Sequence, residues 1–191
     1  MNIEDFEPIK GLTFKDVFEK QKELIFAFEP AYKAIYEEFD IDYINDQEEF
    51  KMICWRITEE LCEALEAIDN NEETHIIEEL LDGFNFLIEL ITLYGLKVEN
   101  LDFSFKRESN ANSYYDILDI IKILGLTANC LKNRKWRQSQ YLVDLKVFEA
   151  RFKLVFNKYL NLLRKYLSDD EIIEKWSLKY QVNLFRLNTN Y

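Results

Sequence analysis

Apolar residues recur at spacings of three and four along most of this chain, a pattern that is typical of amphipathic helices. Pro30 should break or kink the first periodic segment, because its ring cannot donate to the helical hydrogen-bond ladder. The segment 97–112 has no clear helical period and is predicted to be a long loop. The remaining pattern predicts six helices, over residues 14–39, 46–69, 74–94, 114–132, 138–166 and 169–187. We therefore predict an all-α fold, a helical bundle.

Four of these helices begin with a capping pair, in which Ser, Thr or Asp is followed three residues later by an acid. Such a pair satisfies backbone N–H groups that have no partner in the first helical turn. We expect each of the four helices to begin at its pair. The pairs are Thr13 with Asp16, Asp46 with Glu49, Ser113 with Asp116 and Ser168 with Glu171.

The composition supports a single helical domain. Only 4 Gly and 2 Pro among 191 residues leave little turn chemistry for a many-stranded sheet. The hydrophobic content is 48% of the chain. That is enough for one sizeable core, so residues 1–191 are predicted to form one domain. The net charge of −12 argues against a general basic surface, and we expect neither nucleic acid nor a membrane as a partner.

The cysteines and the N-terminal segment bear on the compartment. Cys54, Cys62 and Cys130 are odd in number and fit no metal-ligand spacing. The segment MNIEDFEPIK is acidic and has no apolar signal core. No apolar run in the sequence is long enough for a membrane span. We therefore expect a soluble protein of a reducing, cytoplasmic compartment.

Two of the predicted helices each carry a pair of acids beside an apolar stripe. Glu60 and Glu63 flank the stripe of ITEELCEALEAI, and Glu79 and Asp82 flank the stripe of IIEELLDGFNFLIEL. If the two helices pack antiparallel through these stripes, the four carboxylates converge at one seam. Carboxylates brought together repel one another without a cation, and Mg²⁺ is a hard ion that oxygen ligands prefer. The pattern therefore predicts a Mg²⁺ site.

A plainer interpretation is that these acids form a solvated helix face, which is common in an acidic protein. Glu59, Glu66, Glu78 and Glu89 are expected to be solvated residues of that kind. His75, the single histidine, is interpreted as a surface or cap residue because no second His or adjacent thiol completes a triad with it. The repetition of one acidic spacing in two helices favours the metal site.

The two acidic pairs resemble the signature of a known superfamily. Glu60-x-x-Glu63, fifteen residues, then Glu79-x-x-Asp82 followed by the aromatic-rich FNFLIEL is similar to the motif of the all-α nucleoside triphosphate pyrophosphohydrolases. That superfamily includes the dimeric dUTPases and the MazG-type enzymes. Trp55, shortly before the first pair, resembles an aromatic residue often found there.

The C-terminal segment KYQVNLFRLNTNY resembles the terminal motif of the dimeric dUTPases, which MazG-type proteins generally lack. Its spacing is Lys179-x3-Asn183-x2-Arg186-x4-Tyr191. Lys179, Asn183 and Arg186 fall within about 60° of one another on a helix and form one cationic, hydrogen-bonding face. Such a face suits a polyphosphate. The alternative is that Lys179 and Arg186 merely complement the helix dipole.

Two further segments bear on substrate binding. Gln21 stands where the family places a Gln that reads the pyrimidine ring, but Ile25 stands where an Asn often follows. Asn85, assigned here to the substrate-binding residues, replaces a His found in many dimeric dUTPases. The resemblance therefore leaves the preferred base open.

A basic cluster lies between the last predicted helices, in NCLKNRKWRQSQY. It resembles a segment seen in phage members of the superfamily. Arg134 and Arg137, with Lys132 and Lys135, could meet phosphate while Trp136 covers a base. A basic surface turn with a core Trp is the alternative.

The resemblance implies an enzyme that hydrolyses dUTP to dUMP and pyrophosphate with Mg²⁺, supplying a dTMP precursor. It further implies a homodimer in which a four-helix core holds the metal through Glu60, Glu63, Glu79 and Asp82. Glu60 or Glu63 would accept the proton of the attacking water. Lys179 and Arg186 would stabilise charge on the leaving pyrophosphate, and Asn183 would orient it. Tyr191 would close over the site.

Three alternatives stay open at this point. The same chemistry could act on another nucleotide, such as dCTP or a purine dNTP. The scaffold could instead belong to a phage or prophage protein that binds a repressor or a host factor. The third alternative is a plain helical domain whose acids are solvated.

Overall fold

The computed structural model describes residues 5–28, 30–105, 112–133, 136 and 144–189, without the side chains of residues 31 and 32. Seven α-helices lie in these ranges. No β-strand occurs in these ranges, which confirms the all-α prediction. The helices are α1 Phe14–Phe28, α2 Pro30–Glu38, α3 Ile44–Asn70, α4 Glu73–Tyr94, α5 Ser113–Ala128, α6 Leu145–Leu163 and α7 Asp169–Thr189. A short 3₁₀ helix, Val98–Asn100, follows α4.

Four of the helices form the centre of a bundle. α3 packs along α4, α4 packs on α6, α6 packs along α5, and α5 packs back on α3. α1 and α7 pack on each other and on α4, and α2 packs on α1 and α4. This arrangement follows from the apolar stripe on each helix, since every stripe must be buried against a neighbour. The prediction of a helical bundle is confirmed for the described residues.

Aromatic side chains fill the middle of this core. The Phe50 ring of α3 lies 5.2 Å from Phe148 and 5.4 Å from Phe152, both on α6. Tyr94 at the end of α4 lies 5.1 Å from Phe148. These rings bury large apolar areas and pack in tilted or edge-to-face geometries. Much of the aromatic content of the chain is therefore used inside the bundle.

Two of the predicted helix caps are confirmed. The Asp16 carboxylate accepts hydrogen bonds from the Thr13 N–H (2.7 Å) and hydroxyl (2.6 Å) at the start of α1. Glu171 accepts the same pair of bonds from Ser168 (2.7 and 2.8 Å) at the start of α7. Both pairs are capping boxes, and each fixes the first residue of its helix.

The two other cap predictions are wrong. α3 begins at Ile44, two residues before Asp46. The Asp46 carboxylate accepts a hydrogen bond from the Asp40 N–H (2.8 Å) and so stabilises the turn that precedes the helix. Asn112 caps α5 in place of Ser113, since its side-chain oxygen already accepts from the Tyr114 N–H (2.8 Å).

Several predicted helix boundaries shift as well. α1 ends at Phe28 and α2 begins at Pro30, which confirms that this proline interrupts the first segment. α5 ends at Ala128, four residues before the predicted end, and i→i−3 bonds close its last turn. α6 runs from Leu145 to Leu163, so it begins later and ends earlier than predicted within the described residues. In the described part of the chain, no helix is long and apolar enough to cross a membrane.

The N-terminal segment is fastened to α7 by side chains of that helix. The buried Ser177 hydroxyl accepts from the Ile9 N–H (3.0 Å) and donates to the Glu174 carbonyl (2.7 Å). Gln181, one turn further, donates to the Glu7 carbonyl (2.8 Å). The segment therefore runs along α7 and helps to hold it against α1.

Replacing Ser177 with Ala should destabilise the fold by about 1 kcal/mol, because the Ile9 N–H loses its acceptor. For a chain of this length that corresponds to a thermal midpoint lower by roughly 2–4 °C. Scanning calorimetry measures the shift. Thr189→Ala, which removes an exposed hydroxyl near the end of the same helix, serves as the control. Equal midpoints for the two variants would contradict the role of Ser177.

Candidate active site

The candidate site lies on the hairpin of α3 and α4. Asn71 ends α3 in the left-handed conformation, and its N–H and that of Glu72 bond back to the last turn of the helix. Asn tolerates this conformation, so the chain reverses within two residues. Glu60 and Asp82 each lie eleven residues from Asn71, and Glu63 and Glu79 each lie eight residues from it. An antiparallel hairpin therefore places the two acidic pairs at the same height.

Three of the four predicted metal ligands come together. Glu60, Glu79 and Asp82 each offer a carboxylate oxygen, and these atoms lie within 4.8 Å of one another. Glu79 is buried, whereas Glu60 and Asp82 are half-buried. Glu63 is exposed and does not belong to this group, although its charge acts on Glu60 and Glu79. We refer to Glu60, Glu79 and Asp82 as the carboxylate cluster.

The carboxylate cluster is electrostatically strained. Burial raises the pKa of Glu60 to about 8, assisted by its hydrogen bond to Glu79 and by the negative charges of its neighbours. Burial also raises the pKa of Glu79, despite the hydrogen bond from Glu60. The two carboxyls therefore share a proton at neutral pH when no cation is bound. A divalent cation would relieve the same repulsion by replacing that proton.

A cation from α7 reaches the cluster. Lys179 forms an ion pair with Asp82, and both side chains are about one quarter exposed. Asn183 is half-buried and Arg186 is exposed, one and two turns further along α7. The side chains of Asn183 and Arg186 form no hydrogen bond or ion pair with other described residues, so both remain available to a ligand. The structure thus brings Lys179, the first residue of the predicted cationic face, to the edge of the carboxylate cluster.

The oxygen of the Asn85 side chain is a polar atom without a partner. Asn85 lies one turn after Asp82 on α4, and its Oδ1 is buried without a hydrogen-bond donor among the described residues. A buried acceptor of this kind costs free energy unless a ligand or water satisfies it. The assignment of Asn85 to the substrate-binding residues stays a prediction.

Gln21, Trp55 and Trp136 form no hydrogen bond or ion pair with the carboxylate cluster in the described part of the chain. Gln21 is buried on the core face of α1 and forms no hydrogen bond with the acidic residues of the hairpin. Trp55 is 62% exposed and donates to Glu59 (2.9 Å). Trp136 is 78% exposed rather than a core residue. Arg134, Arg137, Lys135 and Tyr191 lie outside the described residues.

Three residues at the site were not identified from the sequence. His75 lies one turn before Glu79, and its Nδ1 is 3.3 Å from a Glu79 carboxylate oxygen. The i, i+4 spacing of these two residues was the signal that could have shown this contact. Tyr159 of α6 is fully buried beneath the cluster, and Gly83 of α4 lies between them. No local pattern reveals a contact between residues so far apart in sequence.

A cavity of about 680 Å³ opens near the turn of the hairpin. Its walls include Ile68 and Asn71 from the end of α3, Ile76 from the start of α4, and Lys165 from the segment after α6. Ile76 lies one turn before Glu79, so the cavity is beside the carboxylate cluster rather than over it. Its volume is within the range of small-molecule sites.

Comparison with models of protein families, with curated proteins and with solved structures finds no match to this chain. The resemblance of its motifs to the dimeric dUTPases therefore stays a prediction.

Proposed function

We propose that this protein is a Mg²⁺-dependent pyrophosphohydrolase that converts dUTP to dUMP and pyrophosphate. One observation carries the proposal: Glu60, Glu79 and Asp82 converge on one side of a helical hairpin, where Lys179 reaches them from α7. A cluster of carboxylates beside a cationic helix face provides a metal site and a polyphosphate site next to each other. The motif resemblance supplies the choice of dUTP.

The donor set of the cluster fits Mg²⁺. All three groups are carboxylates, which are hard oxygen ligands, and the cluster contains neither a Cys nor a His ligand. The pKa of Glu60 is raised by burial and by the neighbouring carboxylates, although Lys179 pairs with Asp82, so a further cation would relieve the remaining repulsion. Glu63 at the exposed edge would complete the set of four predicted ligands. When bound, the ion supplies charge neutralisation for the triphosphate and lowers the pKa of a water molecule at the site.

The reaction that this site supports is attack of water on the α-phosphorus. The new bond joins the water oxygen to the α-phosphorus, and the bridging bond to the β-phosphate breaks. Glu60 or Glu63 would accept the proton, because the acidic motifs offer no separate base. Pyrophosphate leaves with the charge that Lys179 and Arg186 stabilise.

Lys179 has a second role in this proposal. In the metal-free protein its ammonium group neutralises Asp82. Once a cation holds Asp82, Lys179 would be released to bind a phosphate oxygen, with Asn183 one turn away orienting the same group. The α7 face thus responds to loading of the carboxylate cluster.

Release of dUMP and pyrophosphate from dUTP in the presence of Mg²⁺ tests the proposal. The same assay with dCTP, dTTP and dATP addresses the second candidate, which is hydrolysis of another dNTP. Asn85 keeps that candidate open, because an unpaired acceptor could bind a donor on more than one base. Selective turnover of dUTP supports the proposal, whereas absence of turnover with all four nucleotides contradicts it. The homodimer implied by the resemblance is checked separately by light scattering.

Replacing Arg186 with Ala should lower kcat/KM for dUTP about 10- to 100-fold, because the leaving pyrophosphate loses a charge-assisted partner. Steady-state kinetics measure this loss. Stability should be unchanged, since the Arg186 side chain is exposed and forms no ion pair with other described residues. Lys33→Ala, which removes an exposed cation of α2, serves as the control. If Arg186→Ala kept the wild-type kcat/KM, Arg186 would not be a residue that binds the leaving pyrophosphate.

A further inference from the structure

We infer that Gly83 and Tyr159 are positioning residues, which together set the separation of α3 and α4 at the carboxylate cluster. The inference rests on the proposed function, since it assigns these two residues a part in holding the same metal site. Neither residue offers a ligand, and neither belongs to the motifs that point to the cluster. Their role follows from how closely three helices meet at one point.

Gly83 marks that meeting point on α4. A Cβ atom at this position would overlap the Tyr159 hydroxyl of α6, and it would lie 3.3 Å from the Glu60 Cβ of α3. Helices normally pack with their axes roughly 8–10 Å apart, and only a small residue permits a closer approach. Gly83 adjoins Asp82 in sequence and lies one turn from Glu79. It therefore fixes the place where Glu60 faces its two partners.

Tyr159 cannot move aside to make room. Its side chain is fully buried, and its ring stacks on Phe84 at 6.2 Å between centroids. Its hydroxyl donates to the Leu80 carbonyl (3.0 Å), one turn before Phe84 on α4. Close-packed interiors of this kind transmit a displacement instead of absorbing it. An added methyl group at residue 83 must therefore push α4 away from α6 and α3.

Such a displacement would act on the metal site directly. Glu60 belongs to α3, whereas Glu79 and Asp82 belong to α4, so the three carboxylates stay within 4.8 Å of one another only while the two helices keep their separation. Changes in the residues that orient metal ligands typically cost about 10- to 100-fold in metal affinity. We expect Gly83→Ala to cause a loss of that size.

The geometry also defines a compensating change. Tyr159→Phe removes the hydroxyl that the new methyl group would overlap. The nearest atoms would then be the ring carbon Cζ of residue 159 at 3.2 Å and the Glu60 Cβ at 3.3 Å. Contacts of this length need shifts of only a few tenths of an ångström. The double substitution Gly83→Ala with Tyr159→Phe should therefore recover what Gly83→Ala loses.

The experiment compares wild type, Gly83→Ala, Tyr159→Phe and the double variant. Calorimetry measures Mg²⁺ affinity, and thermal unfolding without metal measures stability. Gly83→Ala should bind Mg²⁺ at least about 10-fold more weakly and unfold at a lower temperature, and the double variant should recover most of both losses. Tyr159→Phe alone should weaken Mg²⁺ binding a few-fold. Gly125→Ala in α5 is the matched control, because a Cβ there meets nothing within 4 Å.

Three results would overturn the inference. The first is wild-type Mg²⁺ affinity in Gly83→Ala, whatever its stability. The second is a double variant that is as impaired as Gly83→Ala, since the clash would then not involve the Tyr159 hydroxyl. A wild-type protein that binds no Mg²⁺ and hydrolyses no nucleotide removes the proposed function itself. In that case only the unfolding temperatures test the spacing role. Recovery of the unfolding temperature in the double variant supports that role. Failure of the double variant to recover its unfolding temperature is the third result that overturns it.

Discussion

Replacing Glu60 with Gln is expected to reduce pyrophosphate release from dUTP at least about 100-fold, because the cluster loses one of its three ionisable oxygen ligands. The same change should stabilise the metal-free protein above pH 8. A neutral amide does not repel Glu79 and Asp82, whereas the wild-type carboxyl ionises in that range. Below about pH 4.5 the Glu60 carboxyl is protonated in both the folded and the unfolded state, so the two proteins should unfold at similar temperatures. Activity and stability thus change in opposite directions at alkaline pH.

Glu66→Gln is the matched control for this experiment. Glu66 is an exposed residue of the same helix, and it contributes to neither the cluster nor its shifted pKa values. Its replacement should leave both turnover and unfolding temperature close to those of the wild type. If Glu60→Gln kept full activity, or lost stability at pH 9, the carboxylate cluster would not be a strained metal site.

Mg²⁺ affinity should increase with pH, by about ten-fold per pH unit between pH 6 and pH 8. The free cluster holds a proton in this range because the pKa of Glu60 is raised to about 8. Binding of the cation must release that proton, so a lower proton concentration favours binding. Above about pH 8 the dependence should level off. Calorimetry in buffers of different ionisation enthalpy measures both the affinity and the number of protons released.

The free energy of unfolding of the metal-free protein should decrease as the pH rises, whereas the Mg²⁺ affinity increases. The folded pKa of Glu60 lies above its unfolded value, so the contribution of this group is fully present below about pH 4.5. It is lost progressively as the pH rises through about 8. Saturating Mg²⁺ should remove this decline, since the metal replaces the proton. An affinity for Mg²⁺ that does not change with pH would show that Glu60 is not a ligand.

The sequence predicted the helical hairpin and its acids well, for a physical reason. Apolar periodicity and the two acidic pairs are local patterns, and the short turn at Asn71 leaves an antiparallel hairpin as the arrangement that buries both stripes. The convergence of Glu60, Glu79 and Asp82 follows from that arrangement. The exposure of Glu63 does not follow from the hairpin, because that exposure depends on how α3 is rotated against α4 and α5.

Features that depend on long-range packing were missed. Tyr159 and Gly83 are far apart along the chain, and a buried aromatic in a helix looks the same in sequence whether it lies under a site or in any other part of the core. The N-caps at Asp46 and Ser113 failed for a different reason. A neighbouring group competed for each, the Asp40 N–H in one case and the Asn112 side chain in the other. Local motifs predict which bonds are possible, and the surrounding chain decides which ones form.

The most direct test of the central claim is a crystal structure of the protein with Mn²⁺ and a non-hydrolysable dUTP analogue. Mn²⁺ prefers the same oxygen ligands as Mg²⁺ and gives an anomalous signal. We expect a peak between Glu60, Glu79 and Asp82, with the triphosphate extending from it toward Lys179 and Arg186. Crystals that hold the metal and the analogue elsewhere, with no peak at these three carboxylates, would contradict the proposed site.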